Sequence, residues 1–322
     1  MSYTQLLTPI SQNWTWMTKI LSICLLLLFV SCKGSSTHTA EKENIAYNYP
    51  TNSDSLNTIY FGFITRYNPR IMYQEYQPIM DYLSSKTPYH FEILLGKTYL
   101  DAVDHLKRDL VQISSFGAVT YIEADAKFNV MPILKPLNEN GTAYYKSLIV
   151  VRDDSEIQQI ADLHGRSFAF ASHHSTSGYL IPSYELLKNG IPLEDLSDYS
   201  NLKHHDSVAK AVLSGEYDAG AVKDIIGLRY LEKGLRVIHK SNPIPSVPLV
   251  VKENLDVEII SAIKAALLSI DINNRENAKI IQNWNSEFKY GFTEAKDSDY
   301  HQIREMINGV PETCGNGCHP GN

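Results

Sequence analysis

The chain has 322 residues, 43% of them hydrophobic and 20% charged, with a formal net charge of −7. That length exceeds one typical domain and suits two, and the composition excludes an intrinsically disordered chain. The acidic balance argues against a general nucleic-acid binder, which shows a basic footprint, while leaving room for a local anion site.

Met17 to Cys32 reads MTKILSICLLLLFVSC. One lysine, an apolar run and then small residues ending in a cysteine form the pattern of a secretory signal. The apolar run Ile20–Val30 falls well short of the roughly 20 residues that a spanning helix needs. Its end, Phe29-Val30-Ser31-Cys32, resembles a bacterial lipobox, with Phe29 where leucine is usual. The resemblance implies a lipoprotein-type signal over residues 1–31, starting at Met1 or Met17, with cleavage before Cys32 and a lipid on its thiol. A plain signal peptide with an incidental cysteine is the alternative. Residues 32–53 are polar and read as a tether. Cys24 leaves with the signal, so Cys314 and Cys318 remain besides Cys32.

From Ile59 the pattern alternates. IYFGFITR is a first strand, ended by Asn68-Pro69. Met72 to Thr87 carries apolar residues at Met72, Tyr76, Ile79, Met80 and Leu83, spaced for one helix face. Strand HFEILLG, helix TYLDAVDHLKRD, strand LVQISSF, helix GAVTYIEADAK and strands VMPILKP and YYKSLIVVR follow. The segment IQQIADLHG reads as helical. A second run repeats the grammar: strand RSFAFAS, helix GYLIPSYELLKNG closed by Gly190, helix HHDSVAKAVLSG, strand YDAGAV, helix DIIGLRYLEKG and strand LRVIHKS. Leu255 to Asp271 is a long amphipathic helix after IPSVPLVVK. Such alternation predicts α/β layers with mostly parallel sheets, and two runs predict two lobes.

SHHSTSGYLIP, Ser172–Pro182, lies between a predicted strand and a predicted helix. Such a junction aims backbone N–H groups outward from the helix start. Ser175, Thr176 and Ser177 add hydroxyls, and Gly178 lets a ligand approach the backbone. The result is an oxyanion cradle of neutral donors. Read alone, the tetrapeptide favours ordinary helix capping. No GxxxxGK[ST] or GxSxG occurs, so neither a nucleotide P-loop nor a hydrolase elbow is supported. Pro182 requires either a helix starting nearer Gly178–Leu180 or a kink. His173, His174, His204 and His205 form two pairs. Zinc is the sharp alternative for them, but adjacent histidines in extended chain point to opposite sides, and no cysteine or spaced acid completes a site. A partly protonated histidine near an anion would make affinity pH-dependent. Cys314-Gly-Asn-Gly-Cys318-His319 has one residue too many for a C-x-x-C-H haem attachment. A disulfide between Cys314 and Cys318, variant covalent haem through Cys314, Cys318 and His319, or a labile redox or metal site are the readings open to it.

Five segments in order resemble the substrate-binding proteins of phosphonate, phosphite and phosphate ABC importers. They are FGFITRYNPRIMYQEYQPIMDYL, VQISSFGAVTYIEA, STSGYLIPSYELLKNGI, HHDSVAKAVLSGEYDAGAV and SNPIPSVPLVV, spanning about Ile59 to Asp271. The resemblance implies a two-lobed periplasmic-binding-protein fold of type II: two mixed α/β domains joined by two crossover strands, near Tyr144–Val150 and Pro245–Val250. Lobe one would be 54–147 plus 249–311, lobe two 148–248, and 312–322 a cysteine-containing tail. Ser175, Thr176, Ser177 and His205 would bind the phosphoryl oxygens. Phe116, on a position that often carries tyrosine, would supply a wall, and Tyr67 or Tyr73 a hydroxyl from lobe one. Gln112 and Ala118 depart from the family's aspartate and proline. Aminoalkylphosphonate binders are expected to carry an acid at the position of Val247, so an ammonium tail would lack a counter-charge here.

The resulting expectation is a lipid-anchored, exported solute-binding protein. It would be a monomer that delivers phosphite, phosphate or a simple phosphonate to ABC permease subunits after hinge closure. No enzymatic activity, metal, resident cofactor or nucleic-acid partner is expected. The alternatives are another small anion, a sensor input, a redox lipoprotein carrying haem on its tail, or an enzyme using the Ser/His cluster.

Overall fold

The structure, a computed structural model, describes residues 57–309. The signal, the tether with Cys32, and the tail with Cys314, Cys318 and His319 lie outside the described residues. The described chain opens as β1 (Thr58–Phe63), α1 (Pro69–Lys86), β2 (His90–Leu95), α2 (Tyr99–Lys107), β3 (Ile113–Ser115), α3 (Ala118–Phe128) and β4 (Val130–Pro136). Local chemistry sets these boundaries. Asn68 caps α1 by accepting from the Ile71 N–H, and Pro69 sits in the first turn, where its missing N–H costs nothing. Thr98 and Asp101 form a reciprocal capping box at the start of α2. The stripe Met72, Tyr76, Ile79, Met80 and Leu83 is buried, as its spacing requires.

The chain continues through β5 (Tyr144–Tyr145), β6 (Ser147–Arg152), β7 (Ser167–Phe170), α4 (Ile181–Lys188), β8 (Asp198–Asn201), α5 (His205–Leu213), β9 (Ala219–Lys223), α6 (Asp224–Leu231) and β10 (Leu235–Lys240). It returns through β11 (Ile244–Pro245) and β12 (Leu249–Lys252), then ends in α7 (Val257–Leu268), α8 (Arg275–Ile281), β13 (Phe292–Glu294) and α9 (His301–Gly309). Two mixed sheets result, ordered β13-β4-β12-β3-β1-β2 and β10-β6-β9-β7-β8. β1 runs parallel to β2 and β3, and β7 runs parallel to β8 and β9. β5 and β11 form a separate antiparallel ladder, with Ile244 opposite Tyr145 and Pro245 opposite Tyr144, where the chain passes between the sheets. We call the two sheets with their helices the first and second lobes.

Three local differences from the sequence reading have physical causes. The helix expected over IQQIADLHG is only a short 3₁₀ turn, Ile160–Leu163. The Asp162 side chain takes the Gln158 and Gln159 N–H groups, and Gly165 leaves helical space at φ 68°. The helix expected from Gly178 is split. A π-helical turn over Thr176–Leu180, closed by Leu180 N–H donating to Ser175 O at 3.1 Å, precedes α4. Pro182 then falls in the first turn of α4, where proline is tolerated. β8 has no signal in the sequence because Asp-Tyr-Ser-Asn carries no apolar alternation; it is a largely exposed edge strand.

Candidate functional site

Open α/β sheets present their sites beyond the carboxyl ends of their strands. Arg66 follows β1, Gly117 follows β3, Ser175 follows β7, and Lys223 ends β9. These positions meet at one cavity between the lobes, lined by Ile64, Arg66, Tyr99, Gly117, Tyr145, Ser175, Thr176, Ser177, His205, Lys223 and Val247. Its volume is about 10 Å³, about what one water molecule needs and far below the roughly 300 Å³ at which pockets for drug-sized ligands begin. A larger groove of about 860 Å³ shares Tyr145, Lys223 and Val247 with it. The smaller cavity is the candidate site, because the buried donors converge there.

One side of the cavity is the π turn. Ser175, Thr176 and Ser177 are each 3% exposed or less. Ser175 Oγ caps the turn by accepting from the Gly178 N–H at 3.0 Å and lies 3.3 Å from His205 Nε2. Thr176 Oγ1 accepts from the Val119 N–H of α3 at 3.0 Å. Ser147 Oγ, on β6, donates to Ser177 O at 2.6 Å and pins the turn to the sheet. Gly178 is required by space. A Cβ there would stand 2.4 Å from Ala171 Cβ and 2.8 Å from His205 Cε1.

His205 opens α5 and is fully buried. The Lys223 backbone N–H donates to its Nδ1 at 3.1 Å. Burial pushes the imidazole down to about 3, and the charges of Lys223 and Arg66 push the same way. His205 is therefore neutral at ordinary pH, with its hydrogen on Nε2 facing the cavity. The pH-dependent affinity expected of a partly protonated histidine does not arise at this residue.

The other side carries charge. Arg66 Nη1 is 3.3 Å from Glu287 Oε2, without hydrogen-bond alignment, and Nη2 donates to Ser115 Oγ at 3.3 Å. Lys223 Nζ pairs with Glu287 Oε1 and lies 4.1 Å from the Tyr145 ring centroid. Tyr76 OH donates to Glu287 Oε2 at 3.2 Å. All three charged residues are buried. Burial opposes the Glu287 charge, but Arg66 and Lys223 hold its carboxyl below the usual range. Burial lowers Lys223, with Glu287 opposing that shift. Phe288 anchors the segment by packing against Phe63 and Tyr76, and the Asn285 N–H donates to Glu75 O at 3.0 Å. Burial pushes the Tyr99 hydroxyl up to about 12, while Arg66 and a hydrogen bond with Ser175 oppose the rise. Tyr145 is raised by burial and meets Ser177.

Contacts between the lobes surround this cavity. Thr120 Oγ1 donates to His174 O at 3.1 Å, and His174 Nδ1 is 2.9 Å from Glu123 Oε2. His204 Nδ1 donates to Thr65 O at 2.7 Å. Arg229 makes a bidentate pair with Glu75, at 2.9 and 3.1 Å.

Of the residues singled out from sequence, Ser175, Thr176, Ser177 and His205 come together at the cavity, and Val247 forms part of its wall. Three others do not line it. Phe116 is buried in the core beside Gly117, with its N–H held by Pro248 O. Tyr67 is buried with Arg229 over its ring, 5.1 Å from the centroid. Tyr73, 46% exposed, stands on the outer face of α1. The first-lobe hydroxyl at the cavity belongs instead to Tyr99, and Tyr145 brings another from the connecting ladder. His173, His174 and His204 also lie outside the lining. Among the described residues, no group of three or more His, Cys, Asp or Glu side chains gathers as a metal site. Sequence reasoning missed Arg66, Lys223, Tyr99, Tyr145 and Glu287. The strand-end rule could have flagged Arg66 and Lys223, but nothing local marks Glu287.

Known proteins resemble the chain along most of its length. It is 24% identical over 307 residues to the phosphate-import protein PhnD of Mycolicibacterium smegmatis, covering 88% of this chain and 93% of that one. Its fold matches a binding protein component of an ABC phosphonate transporter from Pseudomonas aeruginosa with a TM-score of 0.70 at 24% identity, covering 78% of this chain and 85% of that one. PhnD1 from Prochlorococcus marinus, solved in complex with methylphosphonate, also gives a TM-score of 0.70, at 20% identity, covering 79% and 98%. The expected two-lobed, type II periplasmic-binding architecture is the fold of the chain. The profile described as "ABC transporter, phosphonate, periplasmic substrate-binding protein" matches residues 61–300, more than half of the sequence, and the chain belongs to that family of non-enzymatic transport components.

Proposed function

We propose that this protein captures a small phosphorus oxyanion without a cationic tail in the interlobe cavity and delivers it to an ABC permease. Phosphite, phosphate and simple phosphonates are the candidates. The observation that carries this reading is the lining itself: three buried hydroxyl residues, the His205 Nε2–H and the cations Arg66 and Lys223, with no carboxylate among the lining residues. An anion there meets donors on both sides, and hydrogen bonds to a charged ligand contribute about 1.5–3 kcal/mol each. An ammonium tail would meet Val247 and two cations. The phosphate-import name of one relative and the methylphosphonate bound by another support the same ligand class.

Closure works through the β5–β11 ladder, the site of the two passages between the lobes, and through the Lys223–Glu287 and Arg229–Glu75 pairs across the cleft. The mature protein is an exported monomer, held at the membrane by a lipid on Cys32. Isothermal titration with phosphite, phosphate, methylphosphonate and aminoethylphosphonate tests the ligand class. Aminoethylphosphonate should bind weakest, and finding it tightest would overturn the reading. Ser175→Ala and Thr176→Ala should each lower affinity about tenfold or more with the fold intact. Unchanged affinity in both would reduce the turn to a helix cap.

A further inference from the structure

We infer that His174 and Glu123 form a proton-dependent latch on the closed lobes, so that bound ligand is held longer in acid and released faster as pH rises through the histidine range. It rests on the reading above that an anion is held in the interlobe cavity by closure. The latch joins one side of α3, in the first lobe, to the loop that leads into the donor turn of the second. Thr120 and Glu123 are three residues apart, and Val119 and Glu123 four, so they share a side of the helix. All three reach across. The Val119 N–H donates to Thr176 Oγ1, Thr120 Oγ1 donates to His174 O, and His174 Nδ1 stands 2.9 and 3.0 Å from the two Glu123 oxygens. The first two bonds are neutral, and only the third can change its charge. Its side chains are 15% and 11% exposed, so solvent ions screen it less than a surface pair. Neither residue lines the cavity, so the pair acts on closure and not by touching ligand.

Partners on different lobes meet only while the lobes are together. A carboxylate only accepts, so neutral His174 already gives its Nδ1 hydrogen to Glu123. A proton on Nε2 makes that bond charge-assisted and roughly twice as strong. A proton that strengthens a contact of the closed state is bound better in that state, and linkage then couples proton uptake to closure and to ligand binding. The sign follows: affinity gains from the latch below the histidine range and loses that gain above it.

The titratable groups facing His174 are Glu123 from α3 and, on its own loop, His173, with ring centroids 6.0 Å apart. Burial lowers the His173 pKa and the charge of His174 lowers it further, with Glu123 opposing, so His174 takes the proton first. His173 packs on Tyr179 instead, at 4.0 Å between centroids. The other bridges respond differently. Arg229, which pairs with Glu75, keeps its charge at every ordinary pH. His204 donates to Thr65 O, an acceptor without charge, so a proton adds less there.

The test compares the mature wild-type protein with Glu123→Gln, His174→Gln and the double variant, from about pH 5.5 to about pH 8. Affinities for methylphosphonate, phosphite and phosphate come from titration calorimetry, and capture and release rates from stopped flow. At each pH the ratio of wild-type to variant affinity removes the ligand's own ionisation. That ratio should be about fivefold at the acid end and approach about one at the alkaline end. The double variant should lose no more than either single one, because both remove the same pair. The change should lie in release, with capture rates within about twofold.

A ratio that does not vary with pH would reduce the pair to an ordinary packing contact and overturn the inference. Additive losses in the double variant, or an effect confined to capture, would do the same. Denaturant midpoints identify any variant that fails to fold, and either single substitution alone carries the pH comparison. Wild-type and variant proteins that bind equally well at every pH would overturn the latch alone. A wild-type protein that binds none of the three ligands would overturn the reading above, and the latch with it.

Discussion

The neutral wall of the cavity and its charged wall meet the same space but are built in opposite ways. Ser175, Thr176 and Ser177 are consecutive, held by their own turn and by His205 at the start of α5. Arg66, Lys223 and Glu287 come from three distant segments, and each needs the others to be tolerable in the interior. A buried ion cluster is costly to desolvate and is strongly destabilised when one partner is removed. Deleting a capping hydroxyl costs about 0.5–2 kcal/mol, less than breaking the ion cluster. The neutral wall should therefore govern affinity with the smaller effect on folding, while the charged wall governs both.

Substitutions can break this contrast, and the largest effect belongs to the charged wall. Glu287→Ala leaves Arg66 and Lys223 buried without their carboxylate and should cost about 3–5 kcal/mol of stability, read from denaturant midpoints. A loss no greater than that of an ordinary surface substitution would mean the cluster is not held as described. Lys223→Met should cost less, since Glu287 keeps Arg66 and Tyr76.

His205 gives the neutral wall a pH signature in stability. Its folded pKa, about 3, lies below the unfolded value of about 6.5. As pH falls through that window the unfolded state takes up a proton that the folded state refuses. The contribution is present above about pH 6.5 and declines by up to about 1.4 kcal/mol per pH unit on acidification towards pH 3. His205→Gln should flatten this part of the stability profile, and an unaltered slope would remove His205 as its source.

Gly178→Ala tests how tightly the turn packs on that histidine. The new methyl would press on Ala171 and His205, so about 1–3 kcal/mol of stability should be lost, together with affinity. A variant that is fully stable and binds as the wild type would show that the turn can shift. The smallest effect is expected at Tyr73. Its place on the exposed face of α1 predicts that Tyr73→Ala changes ligand affinity by less than about twofold, and a larger loss would bring that helix face into the site.

Legibility in the sequence followed the same division. The alternating strands and helices were readable because burial repeats every two or three to four residues, and the stripe on α1 is an example. Ser-Thr-Ser-Gly after a strand end read by itself as a helix cap, and the resemblance of five segments in order made it a candidate donor turn. IQQIADLHG misled because its apolar spacing was helical while Asp162 claimed the N–H groups that a helix would use. Phe116, Tyr67 and Tyr73 misled because adjacency to a motif does not state which way a side chain faces. Glu287 was invisible because its role depends on Arg66, near the opposite end of the folded chain, and on Lys223 in the other lobe.

The sequence by itself determined the two-lobed α/β plan through its periodicity, while the family and the link between the hydroxyl turn and His205 came from the resemblance of five segments in order. Only the tertiary structure decided the charge of the cavity, the tautomer of His205 and the absence of a carboxylate among the lining residues. Those depend on which strand ends meet across the cleft, and electrostatics in a buried site is a property of that meeting rather than of any one segment.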